Sequence, residues 1–198
     1  MRTLALLLLA LSTTACKKER VPLVIDGVSA TVPADWVTID PERVEKLREA
    51  AQSGDGNVEV AMVGRKPPGA ALPWMYLQRT AMSPLMSKPL LAKALLEGTW
   101  LEINAALKES GLDLVTSTSN STADSRENCY VTKSKKTPPV LNHTCLRLWV
   151  GKTSKKVHSV SVVCLSMEGE DGECQRIIET RQLTASDALP LEQQLEPW

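Results

Sequence analysis

The chain has 198 residues, with 23 basic and 23 acidic side chains and no formal net charge. That balance excludes the strongly basic domain that a nucleic-acid partner would require, and it excludes an electrostatic hold on anionic lipid. Five cysteines are an odd number, so at least one of them stands outside any set of internal pairs.

In chain order, Met1-Arg2 is a short positive start. Thr3 to Leu11 is an apolar run holding Leu4, Leu6, Leu7, Leu8, Leu9 and Leu11, and Ser12-Thr13-Thr14-Ala15 is a small-residue stretch before Cys16. A charged start, a short apolar run and a small-residue cleavage site make an export signal. The run is too short for a membrane span, which takes about 20 apolar residues. The segment Thr13-Thr14-Ala15-Cys16 resembles the bacterial lipobox: Ala15 and Cys16 match it, Thr14 fits, and Thr13 stands where Leu is usual. The resemblance implies a bacterial lipoprotein whose residues 1–15 are removed. Cys16 then carries a diacylglyceryl thioether and an amide-linked acyl chain such as palmitate. Two or more chains anchor stably where one binds marginally. The rival is a soluble secreted protein cut at the same place; lipidation of Cys16 accounts for the odd cysteine and leaves four to pair. Removal of 1–15 takes away Arg2 and no acid, leaving 183 residues with 22 basic and 23 acidic side chains. The expected location is the cell envelope, at the membrane through Cys16, with neither inner nor outer membrane selected.

Residues 16–21 form the lipidated cysteine and a short tether, and 22–198 are read as a single domain. Leu23–Ile25 and Ser29–Val32 are predicted strands joined at Asp26-Gly27, a hairpin dipeptide, and Pro33-Ala34-Asp35-Trp36 turns a Trp back onto the core. Asp40 as N-cap, Pro41 at the first helical position and Ile39 with Val44 as a hydrophobic staple start a helix. Its apolar face is Val44, Leu47 and Ala51, Glu42 and Lys46 form an i,i+4 pair, and Gly54 ends it. Val58–Val63 and Pro73–Met82 are strands around the Lys66–Gly69 loop. Residues 87–110 are helical in pattern, as one helix weakened at Gly98 or as two, the second opened by the capping-box spacing of Thr99 and Glu102. Four strands follow at Leu112–Thr118, Glu127–Ser134, Thr144–Val150 and Val157–Leu165, with short polar connections that make neighbours antiparallel. A last helix spans Glu173 to Leu183, and Pro190–Trp198 is irregular.

This order predicts an α+β fold, an antiparallel sheet packed with about three helices. Val28–Trp36, a strand running into Val-Pro-Ala-Asp-Trp, resembles the opening of PsbP-like extracytoplasmic proteins. The late strand at Val157–Cys164 and the helix carrying Ile177-Ile178 fit the same pattern. The resemblance implies a PsbP-like sandwich, many of whose members are membrane-tethered, non-enzymatic binding or assembly proteins.

Candidate chemistry is sparse. His143 and His158 have no Cys, Asp or Glu at ligand spacing on a shared face, so no metal or cofactor is expected. Cys129 with His143 forms a conceivable thiol–imidazole pair, but an oxidising compartment favours disulfides. Met75, Met82 and Met86 suit core filling better than soft-metal ligation. Lys133–Lys136 and Lys152 with Lys155-Lys156 flank a strand of seven residues, about 20 Å long, and read as two solvated hairpin tips. Strand parity selects disulfides Cys129–Cys145 and Cys164–Cys174. If Leu146, Leu148 and Val150 mark the core face, Cys145 points away from Cys164, and Cys145–Cys164 is disfavoured.

The expected function is a membrane-anchored, non-catalytic binding or assembly module of the cell envelope, on its periplasmic face, with a protein partner. The alternative is an envelope enzyme built on scattered acids, of which Glu168, Glu170, Asp171 and Glu173 are the densest run. That run also fits a helix N-terminus.

Overall fold

The computed structural model describes residues 19–39, 41–51, 57–65, 72–82 and 100–194. Residues 1–15, Cys16, Asp40, Gly54, the 66–69 loop and 83–99 lie outside them, and with them the expectations for export and anchoring, for the first helix's N-cap and for one helix or two before Trp100.

Strands β1 (Arg20–Ile25) and β2 (Val28–Pro33) form the hairpin across Asp26-Gly27. Gly27 takes a φ of +77°, which a side chain would resist. Val28, Ala30 and Val32 are buried in alternation, the period-2 signature of a half-buried strand. Then come β3 (Val37–Thr38), α1 (Pro41–Ala51), β4 (Asn57–Gly64) and β5 (Trp74–Met82). The chain continues through α2 (Trp100–Glu109), β6 (Leu112–Ser121), β7 (Arg126–Ser134), β8 (Val140–Val150) and β9 (Val157–Met167). It ends in α3 (Gly172–Glu179), β10 (Gln182–Leu183) and α4 (Leu191–Gln194).

The strands make a three-stranded sheet, β1-β2-β10, and a seven-stranded sheet, β3-β4-β5-β9-β8-β7-β6. Every paired neighbour is antiparallel. The core lies between the small sheet with α3 and one face of the large sheet: Val28, Ala30, Val32 and Leu183 meet Met75, Leu77, Val160, Val162, Trp149 and Ile177. Trp36 is in this cluster, and Ile39 is fully buried.

The fold corrects the expected α+β sheet packed with about three helices. The described residues are predominantly antiparallel β, ten strands in two sheets, with four helices of which the longest has 11 residues. The difference arises at places where hydrogen bonding overrides local pattern. The helix read to Leu183 stops at Glu179, where the N–H groups of Thr180 and Arg181 close the last turn on Ile177 and Ile178. Gln182 and Leu183 then pair with Ser29 and Val28 and bury Leu183 as a strand. Strand β6 runs to Ser121 through Thr116-Ser117-Thr118-Ser119-Asn120, a stretch with no apolar alternation. The tail read as irregular contains α4, held by the buried Gln194. Its Oε1 accepts from the Val150 N–H at 2.9 Å, and its Nε2 donates to the Asp124 carbonyl at 2.6 Å.

Candidate functional site

Four strands of the large sheet, β9, β8, β7 and β6, bring their side chains into levels beneath α3. Residues directly opposite across an antiparallel pair share a face. One level is therefore Cys164, His143, Val131 and Thr116. The next is Val162, Cys145, Cys129 and Thr118, and the third is Val160, Arg147, Glu127 and Asn120.

Disulfides join Cys129 to Cys145 across β7 and β8, and Cys164 on β9 to Cys174 in α3. These are the pairs that parity selects, but the face of β8 that carries Cys145 is not the one expected. Trp149 and Cys145 are as deeply buried as Leu148 and Val150, so β8 is covered on both faces. Cys145 and Cys164 thus lie on the same face. Register separates them: Cys145 stands opposite Val162 and Cys164 opposite His143, while Cys129 is directly opposite Cys145.

Thr116, Thr118, His143, Ile178 and the Cys129–Cys145 bridge line a shallow hollow of about 90 Å³. This is well below the roughly 300–1,000 Å³ of small-molecule pockets. His143 is only 5% exposed, and its Nε2 has no hydrogen-bond partner. Burial holds its pKa below the ordinary value, opposed by the Asp171 carboxylate, so the ring is neutral at pH 7.

At the third level the Glu127 carboxylate accepts from Arg147 Nη2 at 2.9 Å and from Arg181 Nε at 3.0 Å. Two guanidiniums against one half-buried carboxylate leave an excess positive charge. Glu127, Cys129 and Cys145 are, among the described residues, a group of three potential metal-ligand side chains within 4.8 Å. Both sulfurs are tied in the disulfide, however, and the ligating form of cysteine is the thiolate. The same bond removes Cys129 from any thiol chemistry with His143.

The remaining expected groups are dispersed. Lys133 pairs with Glu168 at 2.6 Å and Lys135 approaches Asp113 at 4.0 Å, both at the β7–β8 tip. Lys152, Lys155 and Lys156 sit at the β8–β9 tip, beyond the 11 residues of β8. The acidic run is spread over the start of α3: Glu173 pairs with Arg20 and, at 3.2 Å, with Arg176, and Asp171 accepts from Gln175. None of these acids lines the hollow beneath α3. Met75 is a core residue.

One close pair escaped the sequence reading. Ser154 Oγ and His158 Nε2 lie 2.8 Å apart across the β8–β9 turn, with the imidazole stacked on Trp149 at 5.3 Å. Asp187, nearby, accepts from the Thr153 N–H and leaves His158 Nδ1 buried without a partner. A hydrolytic triad needs that nitrogen oriented by a carboxylate. The pair instead ties the turn, where the Lys156 N–H also donates to Ser154 Oγ.

The most available feature is an edge. β6 closes the large sheet at one side, ten residues long, and no described strand pairs with its outer side. Thr116, Thr118 and Asn120 are exposed on one face, and Val115, at a register shift between Leu114 and Thr116, is 53% exposed. The opposite edge strand, β3, has only two residues.

No family model matches the chain, and no curated protein matches it. Among solved structures, it is similar to cyanobacterial PsbP (CyanoP) from Synechocystis sp. PCC 6803, with 9% identity and a TM-score of 0.43 over 84% of this chain and 92% of that one. It is also similar to the Ran-binding protein Mog1p of Saccharomyces cerevisiae, with 7% identity and a TM-score of 0.41 over 84% of this chain and 96% of that one.

Proposed function

We propose that the protein is a lipid-anchored lipoprotein of the bacterial cell envelope whose domain, residues 22–198, is a non-catalytic binding or assembly module held to the membrane through Cys16. The anchor rests on the order of charge, leucine run, small residues and Cys16 in the sequence. The observation that carries the binding role is the edge of β6, with which no described strand pairs. An unpaired edge presents a row of backbone N–H and C=O groups to any strand that approaches. Natural edges carry lysines or prolines against such pairing, and β6 has neither. Among the described residues, α2 packs against β6 and the strand is irregular at Val115, while Thr116, Thr118 and Asn120 stay exposed.

Two measurements test the proposal. Mass spectrometry of the membrane fraction should find a lipid mass on Cys16, and globomycin or Cys16→Ser should leave the full-length precursor. A soluble, unlipidated product as the main species would overturn the anchor. A photo-crosslinking residue at Thr118 should form a protein adduct in intact cells, whereas the same residue at Glu179, exposed at the end of α3, should not. Equal labelling at both positions would overturn β6 as the binding element.

A further inference from the structure

We infer that the outer edge of β1 rests on the phospholipid headgroup layer of the membrane that holds Cys16, with Val21, Pro22 and Val24 against the lipid. The inference depends on the reading of Cys16 as the anchor and adds how the domain sits at the surface. Among the described residues, Val21, Val24 and Val115 are the large apolar side chains that stand exposed, and two of the three are in β1. Val21 lies opposite Val32 and Val24 opposite Ser29, on the two faces of the strand, so what they share is its outer edge. No described strand pairs with that edge. From Val21 to Ile25 there is no charged side chain, and Arg20 is tied to Glu173.

The length of the tether selects lipid as the occupant. The Glu19 carbonyl accepts from the Ala34 N–H at 2.9 Å, which fixes the chain to the domain just before β1. From Cys16 to Glu19 is three residues, about 11 Å at full extension. The headgroup layer is itself about 5–7 Å deep on each side of a bilayer, so acyl chains on Cys16 bring β1 to the membrane surface. Pro22, exposed on the edge, lacks the N–H that an added strand would bond, which bars a protein strand but not lipid. Headgroups and interfacial water satisfy the free backbone groups of the edge, which the hydrocarbon core could not do. So short a tether makes the contact intramolecular, and a patch too small to hold a free domain is then occupied.

The elements packed around β1 leave this edge clear among the described residues. β1 and β2 lie over β4, β5 and β9, and α3 lies over β8 and β9. The β1 edge and β6 are therefore on opposite sides of the sandwich. Ile39, which leads into α1, lies over Gly64 of β4, whereas the neighbouring Val63 belongs to the core beneath β2. The start of α1 is thus across the large sheet from β1. β6 is four strand spacings beyond β5, about 19 Å, on the side away from the lipid.

The test reconstitutes the lipid-bearing chain in vesicles of phosphatidylethanolamine and phosphatidylglycerol. A photo-reactive residue at Pro22 should give an adduct of one protein with one phospholipid. The same residue at Val115, 53% exposed on β6, should give none. Val24→Asp, at a position 64% exposed, should keep the melting curve and the lipid mass on Cys16 but lose most of the Pro22 adduct. No phospholipid adduct at Pro22, equal adducts at both positions, or an adduct undiminished by Val24→Asp would each overturn the inference and leave the anchor standing. An adduct from Pro22 to a protein in place of lipid, in intact cells, would overturn it as well. A chain with no lipid mass on Cys16 would end the anchor and the inference together.

Discussion

Cys145 and Cys164 share one face of adjacent strands and do not bond, because Cys145 stands opposite Val162 and Cys164 opposite His143. Diagonal neighbours two residues apart in register are about 7–8 Å apart, beyond the roughly 6.8 Å limit for disulfide Cα atoms. Non-reducing peptide mapping is expected to return Cys129–Cys145 and Cys164–Cys174; a Cys145–Cys164 peptide would place β8 and β9 in another register. The Cys164–Cys174 bridge fastens α3 to β9. Replacing both cysteines by Ala should lower stability by about 2–4 kcal/mol. An unchanged melting temperature would show that α3 is held by Ile177 and its neighbours alone.

How much of this was legible varies element by element. The β1–β2 hairpin was readable because Asp26-Gly27 and the alternation of Val28, Ala30 and Val32 agree at two levels. The strand partners of β8 were readable in part: once Cys129 faces Cys145, Glu127 must face Arg147 two residues outward, and the Glu127 cluster follows from register. Arg181 was not readable, because it reaches Glu127 from a turn whose position depends on where α3 stops. Strand β10 and α4 were hidden for the same reason, being fixed by pairing with β2 and by Gln194 rather than by their own periodicity. The face assignment of Cys145 failed because a central strand covered on both sides carries apolar residues at odd and even positions alike. The edge position of β6 among the described strands has no sequence signature, since it is defined by which strands pair.

Glu127 carries a separate prediction. Its carboxylate holds two guanidiniums together in a half-buried setting. Glu127→Gln removes the charge and keeps the shape, leaving Arg147 and Arg181 to repel one another. Hydrogen bonds to charged groups contribute about 1.5–3 kcal/mol each at most, and solvent screening at these partly exposed arginines reduces that. A loss of about 1–3 kcal/mol is expected in chemical denaturation. Adding Arg181→Met to Glu127→Gln should recover part of it. A double variant less stable than the single one would show that Arg181 acts by packing rather than through the carboxylate.

The two histidines predict a pH dependence. Burial holds both pKa values below 6.5, for His158 with Arg79 and Lys156 adding to the effect and Asp187 opposing it. Below pH 6.5 the unfolded chain therefore binds protons that the folded chain does not. The stabilisation is fully present above about pH 6.5 and is lost as the pH falls from there towards the depressed folded values. Melting temperatures should drop between pH 7 and pH 5, and His143→Gln with His158→Gln should flatten that slope. Parallel slopes for wild type and variant would assign the pH dependence to carboxylates instead.

Gly64 offers a test of packing at the junction of β3, β4 and β5. It lies opposite Trp74 in β5 and Val37 in β3. A Cβ there would come within 2.9 Å of Trp74 Cβ and 3.0 Å of Ile39 Cδ1. The Trp74 atom is bonded directly to the backbone and cannot swing away, and Ile39 is fully buried. Gly64→Ala should therefore force a backbone shift and cost about 1–3 kcal/mol, the usual range for overpacking. Gly172, the first residue of α3, has open space where its Cβ would be. Gly172→Ala replaces the poorer helix former and should leave stability unchanged or raise it by up to about 1 kcal/mol. Ile39→Val in the Gly64→Ala background removes one of the two contacts and should restore part of the loss. If Gly64→Ala melts with wild type, β4 and β5 are not in the register that sets Gly64 against Trp74.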